Sequence, residues 1–130
     1  MKRIVLIVFL VCSSSLSIAS PIDELMKYYN PGGELNFEAA RGKALWFSQR
    51  TDEDGKVRDC TVCHGKDLTK KGEHAKTGKV IEPLATSVND ERFTKLKKVK
   101  KWFKRNCKWT FGRECTAQEK GDILQYLSQF

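Results

Sequence analysis

The chain has 130 residues and carries 24 Lys and Arg against 16 Asp and Glu, a net charge of +8. That length is expected to make one domain with a modest core. Its longest unbroken apolar run is Ile4 to Val11, and about eight such residues are too few to span a bilayer, so stable membrane insertion is not expected.

The amino terminus reads as a secretory signal. Met1-Lys2-Arg3 is basic, the apolar run follows, and Cys12 leads into a Ser-rich stretch ending at Ala19. Cleavage is expected after Ala19, with Ser17 at the minus-three position. Residues 1–19 are then the signal peptide and residues 20–130 one exported domain, placed in the periplasm. Cys12 leaves with the signal, and Phe9-Leu10-Val11 lacks the small residues of a lipoprotein site. Loss of Lys2 and Arg3 leaves 22 basic against 16 acidic side chains, net +6. That excess suits an acidic docking partner or anionic surfaces. Export argues against nucleic acid.

Pro21 to Tyr29 predicts a short helix, with Pro at its first position and acids in its first turn. Asn30-Pro31-Gly32-Gly33 ends it. Asn36 is the expected cap of a second helix from Phe37 to about Gln49. Phe37, Ala40, Ala44, Leu45 and Phe47 form its apolar stripe, bordered by Trp46. Gly42 inside that helix costs about 1 kcal/mol against Ala, which a close helix crossing would explain.

Cys60-Thr61-Val62-Cys63-His64 carries the most specific chemistry. On one helical turn this spacing puts two sulfurs under one edge of a flat ring and the imidazole under its centre. That is the pattern for a c-type haem held by thioethers at Cys60 and Cys63, with His64 as proximal iron ligand. Alternative readings are a zinc site completed by Cys107, Cys115 or His74, or a redox dithiol. His64 and the export signal favour haem. A haem inserted into so small a domain would also carry part of its folding energy.

Gly65 to Asp90 is polar, rich in Lys, Gly and Thr, and shows no period. It is expected as a loop along the haem edge, with Val80 to Ala85 against the ring and a carbonyl near Pro83 accepting the second N–H of His64. Lys76, Lys79 and Arg92 are plausible propionate partners. Glu91 to Cys107 predicts an amphipathic helix, with Phe93, Leu96, Val99, Phe103 and Cys107 inward and a lysine-rich opposite face. Thr116-Ala117-Gln118-Glu119 is a capping box. It opens a last helix to Phe130 that buries Ile123, Leu124, Tyr126 and Leu127. The whole predicts an all-α domain with its first and last helices in contact. Cys107 and Cys115, an even pair in an oxidising compartment, are expected as a disulfide.

The far side of the iron is informative for what it lacks. The two methionines are Met1 and Met26, so no Met follows the motif. His74 lies in polar loop, and Lys ligation stays open. Asn106 follows Val99, Trp102 and Phe103 by seven, four and three, a polar group on an apolar side that needs a partner. It either ligates iron or caps the end of its helix.

Ile81-Glu82-Pro83-Leu84-Ala85-Thr86-Ser87-Val88-Asn89, Arg92-Phe93-Thr94, Lys101-Trp102-Phe103, Arg105-Asn106-Cys107 and Gly112-Arg113-Glu114-Cys115-Thr116 resemble the sphaeroides heme protein family, exported oxygen-binding cytochromes c. The resemblance implies a class I-like cytochrome c fold around one covalent haem c. It implies Asn106 as a ferric sixth ligand that leaves on reduction, beside a Cys107–Cys115 bridge. It implies a diheme cytochrome c as redox partner. Asn89 is a second Asn in a family-like segment, and adjacency to Cys107 selects Asn106.

The expected function is a redox-gated sixth site whose ferrous form takes O2, NO or CO, coupled to electron transfer. The competing reading is a plain electron-transfer cytochrome, six-coordinate through His74 or a Lys. One haem and no evident second cofactor make an oxygen or nitrogen-oxide reductase the weakest reading.

Overall fold

The computed structural model describes residues 19–130. The expected signal peptide, apart from Ala19, lies outside the described residues. Helix α1 spans Pro21–Tyr29. Ser20 caps it, accepting from the Asp23 N–H while the Asp23 carboxylate accepts from the Ser20 N–H. Asn30 closes it, and its side chain brackets the Leu35 backbone through bonds of 2.7 and 3.0 Å.

Helix α2 spans Ala39–Trp46, shorter at both ends than expected. Asn36 does not cap it; its side chain donates to the Glu38 carboxylate. The backbone N–H of the N-cap residue, Glu38, instead donates to Oδ1 of Asp122, 84 residues away, at 2.7 Å. Asp122 is buried and also accepts from Arg41 Nε at 2.8 Å and Gln118 Nε2 at 3.0 Å. Burial alone would raise its pKa, but these donors hold it below the ordinary carboxylate range.

The inward face of α2 also differs from the expected stripe. Gly42 and Trp46 are buried, while Ala40, Ala44 and Phe47 are exposed. Gly42 selects that face: a Cβ there would lie 1.9 Å from the Asp122 carbonyl oxygen and 2.9 Å from Cβ of Tyr126. The close crossing is thus with α5, Ala117–Leu127. A Cβ on Gly121 would overlap the ring of Phe37, in the segment that leads into α2, so α5 is pared back there.

Helix α5 opens on the expected capping box of Thr116 and Glu119 and buries Ile123, Leu124, Tyr126 and Leu127. Burying each large side chain stabilises the fold by roughly 1.5–3 kcal/mol. The first helix does meet the last, through Ile22 and Leu25 against Leu124, with Met26, Val99 and Phe103 alongside.

The long amphipathic helix, called α4 here, spans Leu96–Phe111, about one turn later than expected at each end. Phe93 adopts a left-handed φ of 64°, and Thr94 Oγ1 donates to the Glu91 carbonyl at 2.9 Å, so residues 91–95 turn rather than wind. At the far end Gly112 stops the helix in the left-handed region. Asn106 therefore lies inside the helix, and the capping alternative fails.

Two strand ladders interrupt the otherwise helical chain. β1, Arg50–Thr51, pairs antiparallel with β2, Val57–Arg58; β3, Gly72–Glu73, pairs with β4, Val80–Ile81. Helix α3, Thr61–His64, is a single turn between them. No helix among the described residues is long and apolar enough to cross a membrane.

Candidate functional site

The Cys60–His64 motif folds as one helical turn. His64 N–H donates to the Cys60 carbonyl at 3.1 Å, and Gly65 N–H to the Thr61 carbonyl at 2.8 Å. Asp59 starts the turn from the preceding position. Its Oδ1 accepts from Thr61 Oγ1 at 2.6 Å and the Val62 N–H at 3.0 Å, and its Oδ2 from Gln49 at 3.2 Å. Asp59 is 4 % exposed. Burial alone would raise its pKa, but these donors outweigh it and hold the carboxyl low.

The two thiols are free and face different parts of the fold. Cys60 packs at the edge of the core cluster that holds Trp46 and Tyr126. Burial, with help from Asp59 and Cys63, pushes this thiol up to about 12. Cys63 faces the β3–β4 turn, and Ala75 N–H approaches its sulfur at 3.4 Å. Gly72 lets β3 pass this close, since a Cβ there would lie 2.1 Å from the Cys63 carbonyl oxygen. His64 is held neutral, the form that ligates metals, because burial and then the Arg92 charge lower its pKa to about 4. Its ring lies 5.5 Å from that of Trp46.

The carboxy-terminal end of α4 is pinned to the motif from several directions. Arg50 Nε donates to the Thr110 carbonyl at 2.9 Å, and its Nη2 to that of Trp109 at 3.3 Å. The Arg58 guanidinium covers the Trp109 ring at 4.4 Å. Thr110 is one helical turn beyond Asn106. Cys107, adjacent to Asn106, is disulfide-bonded to Cys115. The Asn106 side chain is exposed and makes no hydrogen bond among the described residues.

The remaining histidine and the one described methionine are placed by their own local contacts. His74 lies in the turn between β3 and β4, where its Nδ1 accepts from the N–H groups of Lys76 and Thr77. Met26 packs in the α1–α5 cluster. The zinc alternative loses Cys107 and Cys115 to their bridge, and no group of three His, Cys, Asp or Glu is placed to hold a metal ion among the described residues. The Pro83 carbonyl itself accepts from Asn89 Nδ2 at 3.0 Å and Arg92 Nε at 2.7 Å, which occupies both its lone pairs.

These residues fit a covalent haem. Two free thiols and a neutral imidazole share one turn, while Trp46 Nε1 is buried beside His64 without a partner among the described residues, a donor left for a polar group of the cofactor. Sequence reasoning missed Arg50, Arg58, Asp59 and Thr110. Of these, only Asp59 had a local signal, an acid directly before the turn it caps.

Residues 32–127 match a family model described as a domain of unknown function, DUF1924. The chain is 41% identical over 105 residues to the cytochrome c-type protein SHP of Cereibacter sphaeroides, covering 81% of each. The solved structure of oxidised SHP, described as an oxygen-binding cytochrome c, superposes with a TM-score of 0.75 at 38% identity, covering 85% of this chain and 98% of that one. Oxidised cytochrome c'' from Methylophilus methylotrophus superposes at 0.71 with 30% identity, covering 83% and 93%. Fold and motif together define a c-type cytochrome of class I-like fold with one covalently attached haem. The chain belongs to the sphaeroides heme protein family.

Proposed function

We propose that this protein is a redox-gated gas-binding cytochrome of the periplasm. Cys60 and Cys63 tether the haem, His64 is the proximal ligand, and Asn106 closes the opposite side in the ferric state. The haem supplies an iron that cycles between ferric and ferrous and, when five-coordinate and ferrous, takes O2, NO or CO. Asn106 acts as the gate because a neutral amide oxygen is a hard, weak donor, held better by Fe(III) than by Fe(II). Reduction then frees the amide.

The observation that carries this reading is the fastening of the end of α4 to the chain just before the motif: Arg50 Nε donates to the Thr110 carbonyl at 2.9 Å, one turn beyond Asn106, and the Arg58 guanidinium covers the Trp109 ring at 4.4 Å. It ties the motif to the stretch of α4 that bears the amide, and the Cys107–Cys115 bridge holds the adjacent residue. SHP's description as an oxygen-binding cytochrome c supports the gas ligand. The solution structure of cytochrome c'' concerns haem-ligand detachment in that protein, which supports a ligand that lets go. Electron exchange with a partner, for which the family points to a diheme cytochrome c, would use the basic surface.

Asn106→Ala tests the gate. The ferric absorption spectrum is expected to change as the amide oxygen is lost from the sixth position. An unchanged ferric spectrum would return the protein to the plain electron-transfer reading with His74 or a Lys as sixth ligand.

A further inference from the structure

We propose that Arg92 is a positioning residue for the proximal imidazole, clamping the backbone behind His64 and placing a fixed positive charge beside it that favours reduced iron. The inference rests on His64 being the proximal ligand.

The placement comes from the backbone. Gly72 pairs with Ile81 in the β3–β4 ladder, and a Cβ on Gly72 would lie 3.0 Å from Cα of His64. The segment from Ile81 to Pro83 therefore leaves the ladder beside the motif. Arg92 reaches back onto it, donating from Nε to the Pro83 carbonyl at 2.7 Å and from Nη2 to the Glu82 carbonyl. Asn89 Nδ2 adds a third bond, to Pro83 at 3.0 Å. A planar guanidinium satisfies two adjacent carbonyls in one fixed orientation, which an ammonium cannot do.

The charge is unusual for its surroundings. Arg92 is half-buried, and burial lowers its pKa, yet a guanidinium stays protonated at any physiological pH. Glu82, the acid that acts on it, gives its carboxylate to Lys71 at 3.0 Å in an exposed pair. Arg92 is also the charge that acts on the His64 ring. A fixed cation there opposes the additional positive charge of ferric iron more than it opposes ferrous. It also draws electron density from the imidazole, weakening the proximal bond.

The experiment uses the holoprotein and reads the ferric–ferrous equilibrium by redox titration, with the iron–imidazole stretch of the reduced protein by resonance Raman. Arg92→Gln is expected to shift the equilibrium about tenfold toward ferric, equivalent to about 59 mV for one electron, and to move the stretch upward. Arg92→Lys keeps the charge and is expected to hold the equilibrium within about threefold of wild type. Asn89→Ala loosens the same carbonyl without changing charge and is expected to stay within about twofold. Arg92→Gln with wild-type equilibrium and stretch, even if it melts earlier, would overturn the inference. So would Arg92→Lys or Asn89→Ala shifting as far as the tenfold expected of Arg92→Gln, which would remove charge as the cause. Absence of an iron–imidazole stretch in the reduced wild-type protein would show that its iron is not five-coordinate through His64 and would remove the reading beneath the inference, a failure distinct from the other two.

Discussion

Removing the Cys107–Cys115 bridge separates a stabilising cross-link from a device that positions Asn106. The bridged residues are 8 apart in sequence, and the loop-entropy relation for that length gives about 2.5 kcal/mol at 25 °C. For a domain of this size the loss corresponds to about 10 °C in Tm. Both cysteines are buried, at 3% and 5% exposure, so Cys115→Ser also risks an unpartnered buried hydroxyl costing roughly 1–3 kcal/mol. The Cys107→Ala, Cys115→Ala pair controls for it. Thermal unfolding followed by circular dichroism reads the stability. Stopped-flow CO binding to the reduced protein reads the site. If the bridge positions Asn106, the on-rate changes together with Tm, because the last turn of α4 is freed one residue from the amide. A Tm loss under about 3 °C in the double variant would refute the entropy reasoning. An unchanged on-rate would reduce the bridge to a staple.

Gly42→Ala should force α2 and α5 apart, because the added carbon would meet the Asp122 carbonyl at 1.9 Å; overpacking of this kind costs about 1–3 kcal/mol, read as a lower urea midpoint. Glu119 is held at about 2 in the folded state, first by Arg113 and also by the Thr116 N–H, against an ordinary value of 4.5. A depressed carboxylate stabilises fully above its unfolded pKa, so its contribution should fade as pH drops from about 4.5 toward 2. Glu119→Gln should flatten that part of a stability–pH curve. Lys97, Lys98, Lys101 and Arg105 lie exposed along α4 without carboxylate partners among the described residues. If they dock an acidic redox partner, electron exchange measured by stopped flow should slow as salt rises; salt-independent rates would remove them from the interface.

Features with local causes were legible in the sequence. The ends of α1, the Thr116 capping box and the pairing of Cys107 with Cys115 all depend on residues near one another in the chain or on cysteine count. So did the spacing of the Cys60–His64 turn. Features set by distant contacts were not. The N-terminus of α2 is satisfied by Asp122, and its buried face is chosen by Gly42 against α5, so a stripe read from α2 alone misplaced Ala40, Ala44 and Phe47. Helix α4 was misread at its start because Phe93, not a glycine, takes the left-handed turn, and at its end because no breaker precedes Gly112. The candidate site divides the same way. Asn106 stood out as polar on an apolar side. Its placement beside the motif depends on Arg50 and Arg58 reaching Trp109 and Thr110, roughly 50–60 residues on in the chain, which no periodicity links.

The gate can be read in one cuvette. Dithionite-reduced protein is recorded before and after addition of CO. A ferrous spectrum that shifts promptly to a CO-bound form is the result expected if Asn106 lets go on reduction. A low-spin ferrous spectrum that ignores CO would show the sixth position still filled, and would contradict the account.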